Sequence, residues 1–371
     1  MQVSEIPLHK VFMADSVGPA VIRTLYSGYV GQGPIVDAFE RELATRFGVS
    51  RAVTVNSGTS ALHLACHMAV DGTADAEIIS SPMTCTATNM PIVCNGARIV
   101  WADIDPLSGN IDPEAIEQAI TANTRAIMMV HWGGNPCDID RICAIGHSNG
   151  IPVIEDAAHA LGTTYRGRPV GAHSDFVAFS FQAIKHVTAV DGGCLVCRDP
   201  EDDARARLLR WYGIDREATA SGDARSEIDV PEAGYKFHMN DVAATIGREN
   251  FKQLDWLVAR HRDNARFYDE AFRAANTIAV APQNPDGASA YWLYTIHLDN
   301  RDEVMQGLRE RGIGASKVHG RNDTLSAFAA FRRPLPRCDA FDRTHLCIPV
   351  GWWVSEQDRE RVVDCVLTLA K

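Results

Sequence analysis

Three short stretches place reactive side chains where an apolar run gives way to a turn. In "FSFQAIKHVTAVDGGCL" (179–195), aromatic and small residues alternate into a polar turn that carries Lys185, and a Gly-Gly pair follows. A lysine set among apolar groups and near a second cation loses its proton more readily and can attack a carbonyl, although a lysine taken alone is usually a solvated surface residue. "IPVIEDAAHA" (151–160) closes an apolar run on two carboxylates, Glu155 and Asp156. Side chains on a strand alternate, so only one of the two can face a ligand crevice, where it could hold a proton on a ring nitrogen. The ordinary alternative is an ion pair or a helix cap. "TVNSGTSALHLA" (54–65) reads as strand, small polar turn and helix. Its Ser57, Gly58 and Thr59 could seat a phosphate on the unpaired N–H groups of the helix start, or Ser57 could act only as the cap. A phosphate seat, a strand-end acid and a later lysine, with Ser180 beside it, are together the parts that hold pyridoxal phosphate as a Schiff base.

Such parts need a scaffold that brings distant strand ends to one edge. Short apolar runs recur at 51–55, 77–81, 97–104, 126–132, 151–158, 175–181 and 193–197, with helical stretches such as "PEAIEQAI" and "DIDRICAIGHS" between several of them. Continuous rather than alternating runs fit strands covered on both faces, so the rhythm predicts an α/β fold with a mainly parallel sheet and ligands at the carboxyl ends of its strands. "YRGRPVGAHS" (165–174) predicts a hairpin or loop. The polar stretch at 214–234 predicts a mobile surface loop, and 239–275 a long helix kinked at Gly247. The remainder reads as a smaller α+β unit, which gives a large domain over 1–250 with an N-terminal arm and a small one over 251–371. The tail "LCIPVGWW" is expected to fill the small unit's core.

The chain has 371 residues, 46% hydrophobic, and a formal charge of −11. That balance argues against nucleic acid as a main partner, because phosphate backbones need clustered Lys and Arg. No apolar run approaches a membrane span and the start lacks a leader pattern, so the expectation is a cytoplasmic protein without a membrane partner. The ten cysteines are expected reduced. Cys194 and Cys197 form a C-x-x-C, but on a strand they face opposite sides, so no metal site is expected.

Several motifs in the same order resemble the DegT/StrS family of sugar aminotransferases, which are fold-type I pyridoxal-phosphate enzymes. They are "SGYVGQGPIVDAFERELATRFG", "NSGTSALHLA", "TANTRAIMMVHWGG", "IPVIEDAAHALGTTYRGRPVG", "FSFQAIK", "GYKFHMNDVAATIG" and "LCIPVGWWVSEQDRERVV". The resemblance runs nearly end to end. It implies that Lys185 carries the cofactor and moves the proton, that Asp156 holds the pyridinium nitrogen, and that His159 lies near the ring hydroxyl. Gly58, Thr59 and Ser180 would bind the phosphate. It also implies L-glutamate as donor, a keto-sugar acceptor, commonly a keto-deoxyhexose linked to a nucleotide, and a homodimer with shared active sites.

The departures concern the substrate more than the cofactor. Cys85 stands where the family commonly has an aromatic that stacks on the ring, and Asp191 lies in "VDGG" where the family has "GEGG". In "GYKFH", Lys236 replaces an asparagine that reaches the neighbouring subunit's phosphate, and His238 replaces a substrate-side arginine. Lys236 could contact the phosphate as a point charge; Lys10, Arg210, Lys317, His319 and Arg321 are candidates at the mouth for an anionic acceptor, and Tyr29 and His186 are further substrate candidates. A cyclitol or unlinked keto-sugar acceptor, the dehydratase branch of the family and a ligand-sensing regulator are the alternatives. The dehydratase branch replaces the lysine by histidine, so Lys185 speaks against it.

Overall fold

The computed structural model describes residues 5–215 and 229–370. Its central sheet has seven strands: β1 (Val53–Val55), β2 (Glu77–Ser80), β3 (Arg98–Trp101), β4 (Thr124–Val130), β5 (Val153–Asp156), β8 (Phe176–Ser180) and β9 (Gly193–Cys197). The two short strands between β5 and β8, β6 (Thr164–Tyr165) and β7 (Arg168–Pro169), form the expected hairpin. Across the sheet the order is β1-β9-β8-β5-β4-β2-β3. Only β9 runs against its neighbours, so β1, β5 and β8 all end on the same edge. Their apolar runs are continuous because both faces are covered. The helix Gly58–Val70 packs on one face of β8 and β9, while Phe47 from the helix Pro34–Phe47 stacks on Phe179 at 4.3 Å on the other.

A second sheet holds β10 (Ala279–Val280), β12 (Tyr294–His297) and β13 (His345–Ile348), and β11 (Gly287–Ala288) joins the β6–β7 hairpin. Tyr268, Phe272, Ile296, Leu346, Ile348 and Val350 fill a separate core around the second sheet, to which the N-terminal arm adds Ile6. The tail therefore packs inward, as its apolar character suggests. The helix Leu254–Phe272 serves two cores: Leu254 and Val258 join that of the large sheet, Tyr268 and Phe272 the other.

The expected long helix is two. One covers Asp241–Phe251 and the next Leu254–Phe272, so the break falls at Lys252–Gln253 and not at Gly247. Gly247 sits in regular helix for a packing reason: a Cβ there would lie 2.8 Å from the ring of Phe39. Of the expected loop at 214–234, residues 216–228 lie outside the described residues. Among the described residues, no helix is long and apolar enough to cross a membrane. Cys194 and Cys197 are buried and unpaired, and no cluster of three metal-ligating side chains occurs among the described residues.

Candidate active site

The edge shared by β1, β5 and β8 opens into a cavity of about 530 Å³. Gly193 builds part of it by having no side chain. It pairs with Val55 on one side and Ser180 on the other, and a Cβ on it would meet the Ser57 carbonyl at 2.4 Å. Gly58 is equally constrained, since a Cβ there would lie 2.8 Å from the Ser180 Cβ. The turn Ser57–Thr59 thus passes directly over the end of β8 and aims the start of a 13-residue helix at the cavity. Ser57 Oγ accepts from Ser60 N, so Ser57 is the helix cap, and the helix start beyond it borders the cavity.

At the end of β5 the two carboxylates separate as alternation requires. Glu155 turns into the core, where His131 Nε2 lies 2.8 Å from its Oε2. The amide of Cys137 donates to His131 Nδ1, which leaves Nε2–H to donate to Glu155. Burial works against the Glu155 charge, but the His131 bond prevails and holds its pKa below the usual value. Asp156 faces the cavity. Thr88 Oγ1 donates to its Oδ2 at 2.6 Å and the Ala158 amide to its Oδ1 at 3.0 Å, so both oxygens are fixed in direction. Thr84 in turn lies 2.8 Å from the Thr88 hydroxyl.

Lys185 follows β8 in a turn pinned at several points. Its amide donates to Gln182 O, the Gln182 amide to Ser180 Oγ, and Trp292 Nε1–H to Ile184 O. The chain returns to β9 through Val190 at φ +70°, a left-handed conformation that β-branched residues seldom adopt. Burial lowers the Lys185 ammonium pKa to about 8, outweighing the opposite pull of Asp156 and Cys85. Its Nζ lies 3.7 Å from the centroid of the Trp292 ring.

His159 stacks on Trp292 at 3.8 Å, and its Nδ1 has no partner among the described residues. Burial, then Lys185 and His319, hold its pKa well below the ordinary value, so the ring is neutral. His319 and His9 also line the cavity, with pKa values lowered to about 3 and about 4, in each case by burial first and Lys185 second. Lys185 is the one ammonium or guanidinium group lining this cavity among the described residues; Asp156 and Asp191 are its carboxylates.

Ser57, Gly58, Thr59, Cys85, Asp156, His159, Ser180, Lys185, Asp191 and His319 are thus brought together. Other candidates are not. Lys10 lies over Trp352, leaving its neighbour His9 to face the cavity. Tyr29 and Arg210 line a different cavity, where Arg210 is buried against Glu40. His186 turns into the core and bonds to the Ala290 carbonyl. Lys317 pairs with Asp342, and Arg321 with Asp323 and Asp339. Lys236 is exposed and its carbonyl accepts from Asn56, while His238 packs edge-on against Trp211; neither lines the cavity of its own chain. The sequence reading missed Thr88, Trp292, His9 and Gln182. Thr88 had a signal, four residues after Thr84 and three after Cys85. Trp292 had none, 107 residues beyond its Lys185 partner loop.

The cavity therefore presents a deprotonatable lysine, a fixed carboxylate and a helix start around one volume. Comparison with known proteins gives the family. The sequence profile of the DegT/DnrJ/EryC1/StrS aminotransferase family matches residues 14–367. The chain belongs to this family. A relative from Bacillus subtilis, the spore coat polysaccharide biosynthesis protein SpsC, is 35% identical over 366 residues, covering 95% of this chain and 93% of its own. The crystal structure of AtS13 from Actinomadura melliaura is similar with a TM-score of 0.95 and 40% identity, covering 99% of this chain and all of its own. That of the sugar aminotransferase CalS13 from Micromonospora echinospora gives 0.94 and 38%, with 98% and 99% covered. The chain is a sugar aminotransferase of the pyridoxal-phosphate-dependent kind.

Two outcomes follow for the cofactor-free protein. The neutral amine is the nucleophile, so acylation of Lys185, followed by peptide mass spectrometry, should rise with pH and level off above about 8; a rise continuing to about 10.4, the ordinary lysine value, would contradict this. Thr88→Val should lower stability to urea by about 1–3 kcal/mol, because it leaves a buried carboxylate short of a donor, while Thr88→Ser should restore it. An unchanged unfolding midpoint for the valine variant would contradict the bond.

Proposed function

We propose that this aminotransferase takes its amino group from L-glutamate and delivers it to the ketone of a nucleotide-linked keto-deoxysugar. The observation that carries the reading is the buried Lys185 amine between Asp156 and Trp292, at the mouth of a glycine-built helix start. The residues fit the cofactor: Gly58 keeps a cradle open that any Cβ would close, and His159 Nδ1 is a buried polar atom in want of a partner. When bound, pyridoxal phosphate supplies an aldehyde for the donor's amine and a ring that accepts the electron pair left when the α-proton departs. Lys185 Nζ anchors the cofactor and then, as a neutral amine, carries that proton. Asp156 keeps a proton on the ring nitrogen, held in direction by Thr88 and the Ala158 amide. His159, neutral, bonds the ring hydroxyl, while Ser57, Gly58, Thr59 and Ser180 take the phosphate. Cys85 lines the cavity where an aromatic is more usual, so holding the cofactor's ring would fall more heavily on His159.

The three imidazoles that line the cavity are neutral, so they can hydrogen-bond sugar hydroxyls but supply no charge for the glutamate carboxylates or a diphosphate. We assign that charge to a second copy of the chain, whose Lys236 would reach across with His238 beside it, making the active protein a homodimer. The same lack of charge on the cavity's imidazoles suits the second reading, an unlinked keto-sugar or cyclitol acceptor.

Purified protein reconstituted with pyridoxal phosphate should show a visible absorbance band that L-glutamate removes and Lys185→Ala lacks, and should scatter light as two chains. Absence of the band in the parent protein would overturn the reading. A band untouched by glutamate would overturn the donor. Turnover of unlinked but not nucleotide-linked keto-sugars would overturn the first acceptor in favour of the second.

A further inference from the structure

Trp292 is the side chain around which the lysine side of the cavity is organised, and neither charge pattern nor motif marks it. It comes from the stretch that leads into β12 and is 4% exposed. His9 stacks on it at 4.9 Å and 18°, and His159 at 3.8 Å and 18°, so two segments far apart in sequence hold the indole. Its Nε1–H donates to the carbonyl of Ile184 at 2.9 Å, the residue immediately before Lys185. Its ring centroid lies 3.7 Å from Lys185 Nζ. One rigid side chain thus fixes both the backbone that carries the lysine and the place where its amine rests.

We infer that Trp292 is a positioning residue that holds the free Lys185 amine ready to recapture the cofactor. This rests on the reading of Lys185 as the cofactor-bearing lysine. Over a full transamination the lysine is released in the first half and must return in the second, and a four-carbon stem left free would sample many rotamers. An indole face offers the amine a resting place whether charged or neutral: attraction to the ring quadrupole when charged, an N–H···π contact when not. A buried carboxylate partner would instead pin the ammonium form, and none is bonded to Nζ among the described residues. The His9 stack makes the N-terminal arm part of the support, so the arm's contribution reaches the chemistry through Trp292.

The test separates lysine capture from cofactor binding in general. Cofactor-free parent, Trp292→Phe and Trp292→Leu proteins are mixed with pyridoxal phosphate and the visible band is followed in time. Equilibrium affinity for pyridoxamine phosphate, which has no aldehyde for the lysine, is measured on the same three proteins. Trp292→Leu should slow capture about tenfold, with Trp292→Phe between, while pyridoxamine phosphate affinity stays within about twofold. Equal capture rates in all three, or capture and pyridoxamine phosphate affinity falling in parallel, would overturn the inference. A parent protein that never forms the band would instead overturn the reading of Lys185 itself.

Discussion

Burying one amine is the constraint on which the site depends. A lysine removed from water resists being charged, and here the result is a pKa near 8, within reach of neutral pH. The burial has to be built from several directions at once. β8 delivers the turn, Gly193 and Gly58 let the Ser57–Thr59 turn close on the end of β8, Trp292 caps one side, and Asp156 lines the cavity. Each of these comes from a different part of the chain, so the nucleophile exists only in the folded protein.

The same arrangement sorts the charged groups. Adjacent carboxylates at the end of β5 are turned to opposite faces by the strand's period. Glu155 becomes a structural partner for His131, and Asp156 a carboxylate fixed by two donors. Histidines that would be half-charged in water are kept neutral by burial and by the nearby lysine. The cavity's own walls are therefore suited to a sugar's hydroxyl groups, and among the described residues Lys185 is the one ammonium or guanidinium group they carry.

Much of this was legible in the sequence, for a physical reason. Continuous apolar runs, a Ser-Gly-Thr turn before a helix, paired acids at a strand end and a lysine after a strand are local signals, and each sits where its period and flanking residues place it. The expectations that the structure places elsewhere share the opposite character. Lys10 and His9 are adjacent, and only the packing of the N-terminal arm decides which faces the cavity. His186 follows Lys185, yet the turn sends it into the core. Lys317 and Arg321 read as free basic groups until their carboxylate partners, at least 18 positions away for Asp342 and Asp339, are seen. The helix break at Lys252–Gln253 carries no glycine or proline, whereas Gly247, which drew attention, serves Phe39. Trp292 was invisible because its role comes entirely from tertiary contacts.

The account stands on one lysine, and reduction reads it directly. Protein reconstituted with pyridoxal phosphate would be treated with borohydride, digested, and its peptides mapped by mass spectrometry. A phosphopyridoxyl group is expected on Lys185 and on no other lysine. The group on a different lysine, or no stable attachment at full cofactor occupancy, would contradict it.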